Sequence, residues 1–379
     1  MSSHRHVPLI APDLPEFADV ADRLQEILSN GRITNFGRYV SEFEQAIGRY
    51  VGGHAVTTSS GTMGLLFVLQ ALGVTRGTAV IVPSFTFMAT VQAIVYAGGR
   101  PIFADIGEDL TLDSLDVATL LDQHRDASLI LPVHMYGLPC DTEAIERVAA
   151  AYSRADRSIR VVYDAAHAFG AARDGRLVGT FGDAEVFSLS VTKTLVSVEG
   201  GAITSRDQQL IQRIRRMRNY GIESNYDAWY PGLNGKMSEF HAVIGLANLE
   251  RLEQRLEQRQ ILARNYAARL HEQTDFQVIS WPANVRHTFK DFSVLVPDAL
   301  VSRRAAVMAR LQELGVETRA YFSPPVHEQR LFHSFADRAL PRTESLARQV
   351  LTLPFFTRMT DDDMDYVVDC LRQVRKELA

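Results

Sequence analysis

The chain has 379 residues, 46% of them hydrophobic and 22% charged, which is enough for two domains and a large core. Its formal net charge of −5 leaves no basic surplus for nucleic acid, and two cysteines, Cys140 and Cys370, exclude a disulfide framework or a zinc cluster. Met1 to Pro8 carry no apolar leader and no apolar run is long enough to span a bilayer, so a cytoplasmic protein with no membrane or metal partner is expected.

Residues 13–30 read as an amphipathic helix, with Leu14, Phe17, Val20, Leu24, Ile27 and Leu28 on one face, ended by Asn30-Gly31. Ser41, with Glu44 three residues on, has the pattern of a capping box opening a helix to Tyr50. His54-Ala55-Val56 reads as a strand. The small residues Thr57 to Thr62 follow and open a helix over 63–72. Small residues at a strand-to-helix turn let backbone N–H groups meet an anion at the positive end of the helix dipole.

Strands at 79–83, 101–105, 128–133 and 159–164 alternate with helices at 86–97 and 141–152, which predicts a mostly parallel sheet covered on both faces. No Gly-x-Gly-x-x-Gly follows any of them, so a dinucleotide fingerprint is absent. Ligands in such sheets sit beyond the carboxyl ends of the strands. Asp164 and Asp105 both end strands. Asp164 is the stronger candidate, because the small residues and His167 of Ala165–Gly170 follow it.

Residues 184–188 and 200–204 read as two more buried strands, joined by a hydroxyl-rich bend that carries Lys193. Only four of the 40 basic residues are lysines, at 193, 236, 290 and 376. Arginine cannot form a Schiff base. A lysine held at this bend is either a surface residue in a hairpin or the amine that binds an aldehyde cofactor.

A helix at 206–218 with a positive face leads into a polar, aromatic loop ending at Asn234. Residues 238–270 form one long helical pattern, and Arg251, Arg255 and Arg259 on one side of it read as a solvated face. The expected domain boundary is near residue 250, giving domains 1–250 and 251–379. The smaller C-terminal part reads as α+β: a strand at 287–296, a helix at 302–314, an edge at 316–319, a proline-rich loop at 321–327, and helices at 345–350 and 361–378.

Assembled in order, these stretches resemble the DegT/DnrJ aminotransferases. The resemblance runs through Ser59-Ser60-Gly61-Thr62, Val82 to Phe87, Val133-His134-Met135-Tyr136-Gly137 and Asp164-Ala165-Ala166-His167. It continues through Phe187-Ser188 to Lys193, Glu199-Gly200-Gly201, Arg218 to Gly221, Asn234 with Met237-Ser238-Glu239, and Tyr321 to His327. It implies the aspartate-aminotransferase fold (fold type I), an α/β large domain with a smaller C-terminal domain, and pyridoxal 5′-phosphate as cofactor.

By this resemblance Lys193 is the Schiff-base lysine and Asp164 the carboxylate that pairs with the pyridine nitrogen. Phe87 stacks on the ring, and His167, where the family often has glutamine, sits near the ring hydroxyl. Gly61, Thr62 and Ser188 cradle the phosphate, and Asn234 reaches the phosphate of the partner chain across a homodimer. Tyr321 and His327 are substrate-contact candidates. The implied activity moves an amino group from glutamate or glutamine to a nucleotide-linked keto-sugar, with a dTDP-4-keto-6-deoxyhexose the leading expectation. A 3-keto-sugar or keto-inositol aminotransferase, a sugar dehydratase on the same fold and a regulator without turnover are the alternatives.

Overall fold

Seven short strands, buried along nearly their whole length, make one sheet in the computed structural model, which describes residues 5–378. The expectation for Met1–Pro8 falls partly on Met1–His4, which lie outside the described residues. Across the sheet the order is His54–Thr58, Gly201–Ser205, Ala184–Ser188, Arg160–Asp164, Ala127–Ile130, Ala79–Pro83 and Arg100–Ala104. All neighbours run parallel except Gly201–Ser205, which is antiparallel to the strands on both its sides.

A parallel sheet must be covered on both faces. Helices Arg38–Val51, Ser114–Gln123, Thr142–Tyr152 and Glu239–Glu250 bury their apolar stripes on one face. Helices Gly61–Ala71, Met88–Tyr96 and Gln208–Met217 cover the other. Ser114–Gln123 has no counterpart in the sequence reading; Asp113 caps it by accepting from the Leu115 amide.

A second core gathers around a small antiparallel sheet of Gln277–Val278, Phe292–Leu295 and Val350–Leu353, with helices Arg304–Glu313 and Asp361–Leu378. Val7 belongs to this core and bridges Val316, so the start of the described chain packs on the C-terminal unit. Among the described residues no helix is long and apolar enough to cross a membrane.

Five expectations are corrected. The long helical pattern breaks at Arg251 into Glu239–Glu250 and Leu252–Gln273. Arg259 is buried rather than solvated: it donates to the carbonyls of Thr288 and Phe289 and lies over the Phe355 ring. The strand expected over 287–296 is confined to Phe292–Leu295, and the segment expected as a helix at 345–350 is the end of helix Pro341–Gln349 running into strand Val350–Leu353.

Ser41 caps nothing, because its helix already begins at Arg38. Glu44 therefore sits inside the helix, 4% exposed, and pairs with Arg215 and the fully buried Arg218. A buried charge left without its partner is strongly destabilising. Glu44→Gln is expected to cost about 3–5 kcal/mol, read as a lower urea midpoint. An unchanged midpoint would show that Arg218 is satisfied by Thr57 alone.

Candidate active site

The carboxyl ends of the central strands open on a cavity of about 390 Å³, within the range that holds a small ligand. Five stretches of the large unit, at 60–65, 86–90, 133, 164–167 and 186–199, and two of the smaller unit, at 290–291 and 321–322, build its walls.

Lys193 projects from the bend between Ala184–Ser188 and Gly201–Ser205. Strand pairing of Ser188 with Gly201 fixes both ends of the bend. Inside it, the Leu189 amide donates to Gly200, the Ser197 amide to Leu189, and the Lys193 amide to Ser190. Asn248 on the neighbouring helix donates to the Val196 carbonyl at 2.7 Å. The residue is partly exposed, yet its amine lies deep in the cavity. Burial, helped by the nearby Lys290 charge, pulls its pKa down to about 8. About a tenth of it is then neutral and nucleophilic at pH 7, far more than for an ordinary lysine.

Asp164, at the last position of its strand, is 5% exposed. Its Oδ2 accepts from Thr90 Oγ1 at 2.7 Å and its Oδ1 from the Ala166 amide at 3.0 Å. Burial pushes its pKa up, and these two donors and Lys193 oppose that. A cation beside the carboxylate would complete its stabilisation.

His167 lines the same cavity and is 6% exposed, and its Nδ1 has no hydrogen-bond partner. Burial and the Lys193 and Lys290 charges hold its pKa well below the usual histidine value, so the ring is neutral. It can donate or accept one hydrogen bond from a ligand. Phe87, half exposed at the start of helix Met88–Tyr96, stands over the opening, and its ring centre is 6.0 Å from that of Phe322.

The opposite end is a helix start. A Cβ on Gly61 would come within 3.1 Å of the Ser188 side chain and 3.2 Å of its Cα, so a larger residue would push the helix start and strand end apart by a few tenths of an ångström. The first amides of a helix have no intrahelical acceptor. Ser60 Oγ takes that of Met63, which leaves those of Gly61 and Thr62 in the cavity wall beside the Ser188 and Ser190 hydroxyls.

Tyr321 lines the cavity, whereas two expected site residues do not. His327 is buried against Ser84, whose Oγ lies 2.6 Å from its Nδ1 and accepts its backbone amide, so it pins the 324–327 segment to a strand end. Its expected substrate contact is not found in this chain's cavity. Asn234 is exposed on the outer surface, bridged to Asn219. Asp105, the rival to Asp164, also lies elsewhere: it accepts from Thr343 Oγ1 and from the amides of Arg342 and Thr343, fixing the start of helix Pro341–Gln349.

The sequence reading missed Thr90, Glu199, Phe322, Lys290 and Asp291, all in the wall. Lys290 and Asp291 lay inside the apolar run read as one strand. The adjacent Lys-Asp pair within that run was the available signal.

Pyridoxal 5′-phosphate fits this set: an amine for its aldehyde, a buried carboxylate for its ring nitrogen, an unpartnered buried histidine nitrogen, and a helix start with hydroxyls for its phosphate. Comparison with known proteins agrees. Residues 16–372 match the model of the DegT/DnrJ/EryC1/StrS aminotransferase family. The chain is 33% identical to the GDP-perosamine synthase of Caulobacter vibrioides, covering 96% of this chain and 99% of that one. It is 31% identical to the dTDP-4-amino-4,6-dideoxy-D-glucose transaminase of Escherichia coli, over 94% and 95% of the two chains. The crystal structure of DesI in the presence of its TDP-sugar product superposes with a TM-score of 0.89 at 35% identity, covering 97% of this chain and 92% of that one. The fold is therefore fold type I, and the chain belongs to the DegT/DnrJ/EryC1/StrS aminotransferase family as a pyridoxal 5′-phosphate-dependent aminotransferase.

Proposed function

We propose that this aminotransferase moves an amino group from glutamate or glutamine to the ketone of a nucleotide-linked sugar, with a dTDP-4-keto-6-deoxyhexose the favoured acceptor. The observation that supports this reading is the single cavity that joins Lys193, Asp164, His167 and the helix start at Gly61, in a chain whose relatives carry sugar-nucleotide names.

When bound, pyridoxal 5′-phosphate supplies an aldehyde that carries the amino group and a ring that accepts electrons. The chain does the rest. Gly61, Thr62 and Ser188 hold the phosphate. Asp164 holds a proton on the ring nitrogen through its ionised carboxylate. His167 bonds the ring hydroxyl, and Phe87 covers the open face of the ring. Lys193 Nζ is the amine that would hold the cofactor's aldehyde, and when free it would serve as the base that takes the proton from the donor α-carbon and returns it as an acid. The amino acid would leave as its 2-oxo acid with the uptake of one water, which the second half returns. The sugar ketone then gains the amine by the same steps reversed, with water released.

The test is incubation of the holoenzyme with 15N-labelled glutamate and dTDP-4-keto-6-deoxyglucose. The sugar nucleotide should acquire 15N, read by mass spectrometry. A sugar that loses a hydroxyl and takes up no nitrogen would instead mark a dehydratase.

The reading includes a homodimer that shares its sites. Asn234 lies among exposed apolar side chains, Tyr220, Tyr226, Trp229 and Leu233, with Ile33 and Phe36 nearby. A patch of this kind favours a partner protein surface. Asn234→Asp would place a negative charge against the partner's phosphate. Neither it nor Lys193→Ala should be active alone, but co-refolded mixtures should recover activity, because one site of the mixed dimer keeps both residues intact. If native mass spectrometry confirms mixed dimers and nothing is recovered, Asn234 does not act across the interface.

A further inference from the structure

We propose that Lys290 is the residue that recognises the α-carboxylate of the amino donor, with Asp291 holding its ammonium in place. The inference rests on the aminotransferase reading above and adds the donor subsite to it.

Lys290 is 7% exposed, and its Nζ donates to Asp291 Oδ1 at 2.7 Å. An ammonium carries three donors, and this bond uses one. A buried ammonium with donors to spare is costly unless a further acceptor arrives. Asp291 Oδ2 is buried without a partner, an acceptor that a donor alone could satisfy, so the spare bonds of the Lys290 ammonium are what call for an anion. The backbone is fixed independently of the side chain. The Lys290 amide donates to the Tyr136 carbonyl and the Thr288 amide to Gly137. Arg259 holds the carbonyls of Thr288 and Phe289. Tyr321 presents its ring to the ammonium, 5.6 Å from its centre. All of this costs the chain an irregular stretch where an apolar run could have continued as strand.

The location selects the ligand. Among the described residues, the side-chain cations lining the cavity are Lys193 and Lys290, and no arginine lines it. Lys193 is engaged with the cofactor, so Lys290 is the cation left to meet an anion there. In an α-amino acid the carboxylate is bonded directly to the carbon that carries the reacting amine. Its charge must therefore lie beside Lys193. In a sugar nucleotide the diphosphate is attached at C1, on the far side of the ring from a reacting C4, so its charge falls towards the mouth. A cation buried in the wall next to Lys193 matches the first ligand. Asp291 also keeps the empty subsite close to neutral, so that an arriving carboxylate meets a fixed donor rather than an unbalanced charge.

The test compares two half-reactions of the holoenzyme, each followed by the change in cofactor absorbance in single turnover. One uses glutamate and the other dTDP-4-amino-4,6-dideoxyglucose, an amine without a carboxylate. Both depend on Lys193, so their ratio cancels any effect of Lys290 on that amine. Lys290→Met should lower the glutamate half-reaction relative to the amino-sugar one by about 30-fold or more, the loss expected when one member of a buried charged contact is removed. Lys290→Arg should restore part of it. The wild type should prefer glutamate to glutamate 1-amide, and Lys290→Met should lose that preference.

An equal fall in both half-reactions with the preference intact would make Lys290 a structural residue and overturn the proposal. A larger fall with the amino sugar would move it to the diphosphate. Equal use of glutamate and its 1-amide by the wild type would also refute it. Failure of the sugar-nucleotide reading itself shows differently: the wild type would react with glutamate but not with the amino sugar, and the glutamate against 1-amide comparison would still report on Lys290.

Discussion

Lys193→Ala is expected to lower turnover by about 10⁴-fold, the upper end of the range for losing a positioned proton carrier, because by the proposed mechanism the same residue would also hold the cofactor. The cavity contains a second amine, so the assignment needs a direct label. Borohydride reduction of the holoenzyme followed by peptide mapping should place the pyridoxyl group on the peptide carrying Lys193. Lys290 is the informative alternative, since it lines the same wall, whereas Lys236 makes its bond to Asn219 outside the cavity. Lys290 Nζ donates to Asp291 Oδ1, while burial and the Lys290 charge together bring Lys193 down to about 8. The neutral amine is the one that attacks an aldehyde. In cofactor-free protein, capture of pyridoxal 5′-phosphate should therefore accelerate about tenfold per pH unit up to pH about 8 and level off above it. Label on Lys290, or a profile still rising well past that pH, would overturn the assignment.

What the sequence shows and what it hides divide along physical lines. Lys193 and Asp164 could be found because Asp164 ends a short apolar strand and Lys193 sits on the hydroxyl-rich bend that follows another, where a polar side chain has no packing role and the sheet topology places the ligand. Gly61 could be placed only through the family resemblance, since a strand-to-helix turn of small residues also reads as a plain helix cap. Lys290 was absorbed, with its neighbour Asp291, into the strand expected over 287–296; the placement of the 287–291 stretch against Tyr136 and Gly137 makes it a wall residue. Arg259 was assigned to the wet side of its helix by periodicity, but carbonyls from a loop thirty residues away satisfy it in the core. Glu44 and Arg218 are 174 residues apart, and nothing local in either stretch announces the pair. Local pattern locates strand ends and helix starts. It does not report which distant backbone will arrive to satisfy a buried charge.

Asp164→Asn should keep the cofactor bound and lower turnover by about 10²–10³-fold, the loss typical of removing one preorganised electrostatic contact from a reacting centre. The site can accept the amide without rearrangement. The Asn oxygen would take the place of Oδ1 and accept from the Ala166 amide. The new NH₂ would face Thr90 Oγ1, which can turn its own hydrogen to Thr86 Oγ1, 2.9 Å away. Packing and the holds on the other end of the cofactor, at Gly61, Thr62 and Lys193, are untouched. What changes is the charge: a neutral amide no longer favours a proton on the ring nitrogen, so the ring accepts electrons less readily. The measurement is cofactor retention through dialysis, read by absorbance, together with kcat in both half-reactions. Both should fall together, since both draw on the same ring. Loss of the cofactor with normal turnover in whatever fraction remains would make Asp164 a holding residue only. Turnover within a few-fold of the wild type would pass the role to another acid. Asp105 is not available for it, because Arg342 and Thr343 already occupy its carboxylate outside the cavity, which leaves Glu199 and Asp291 as the acids that line the wall.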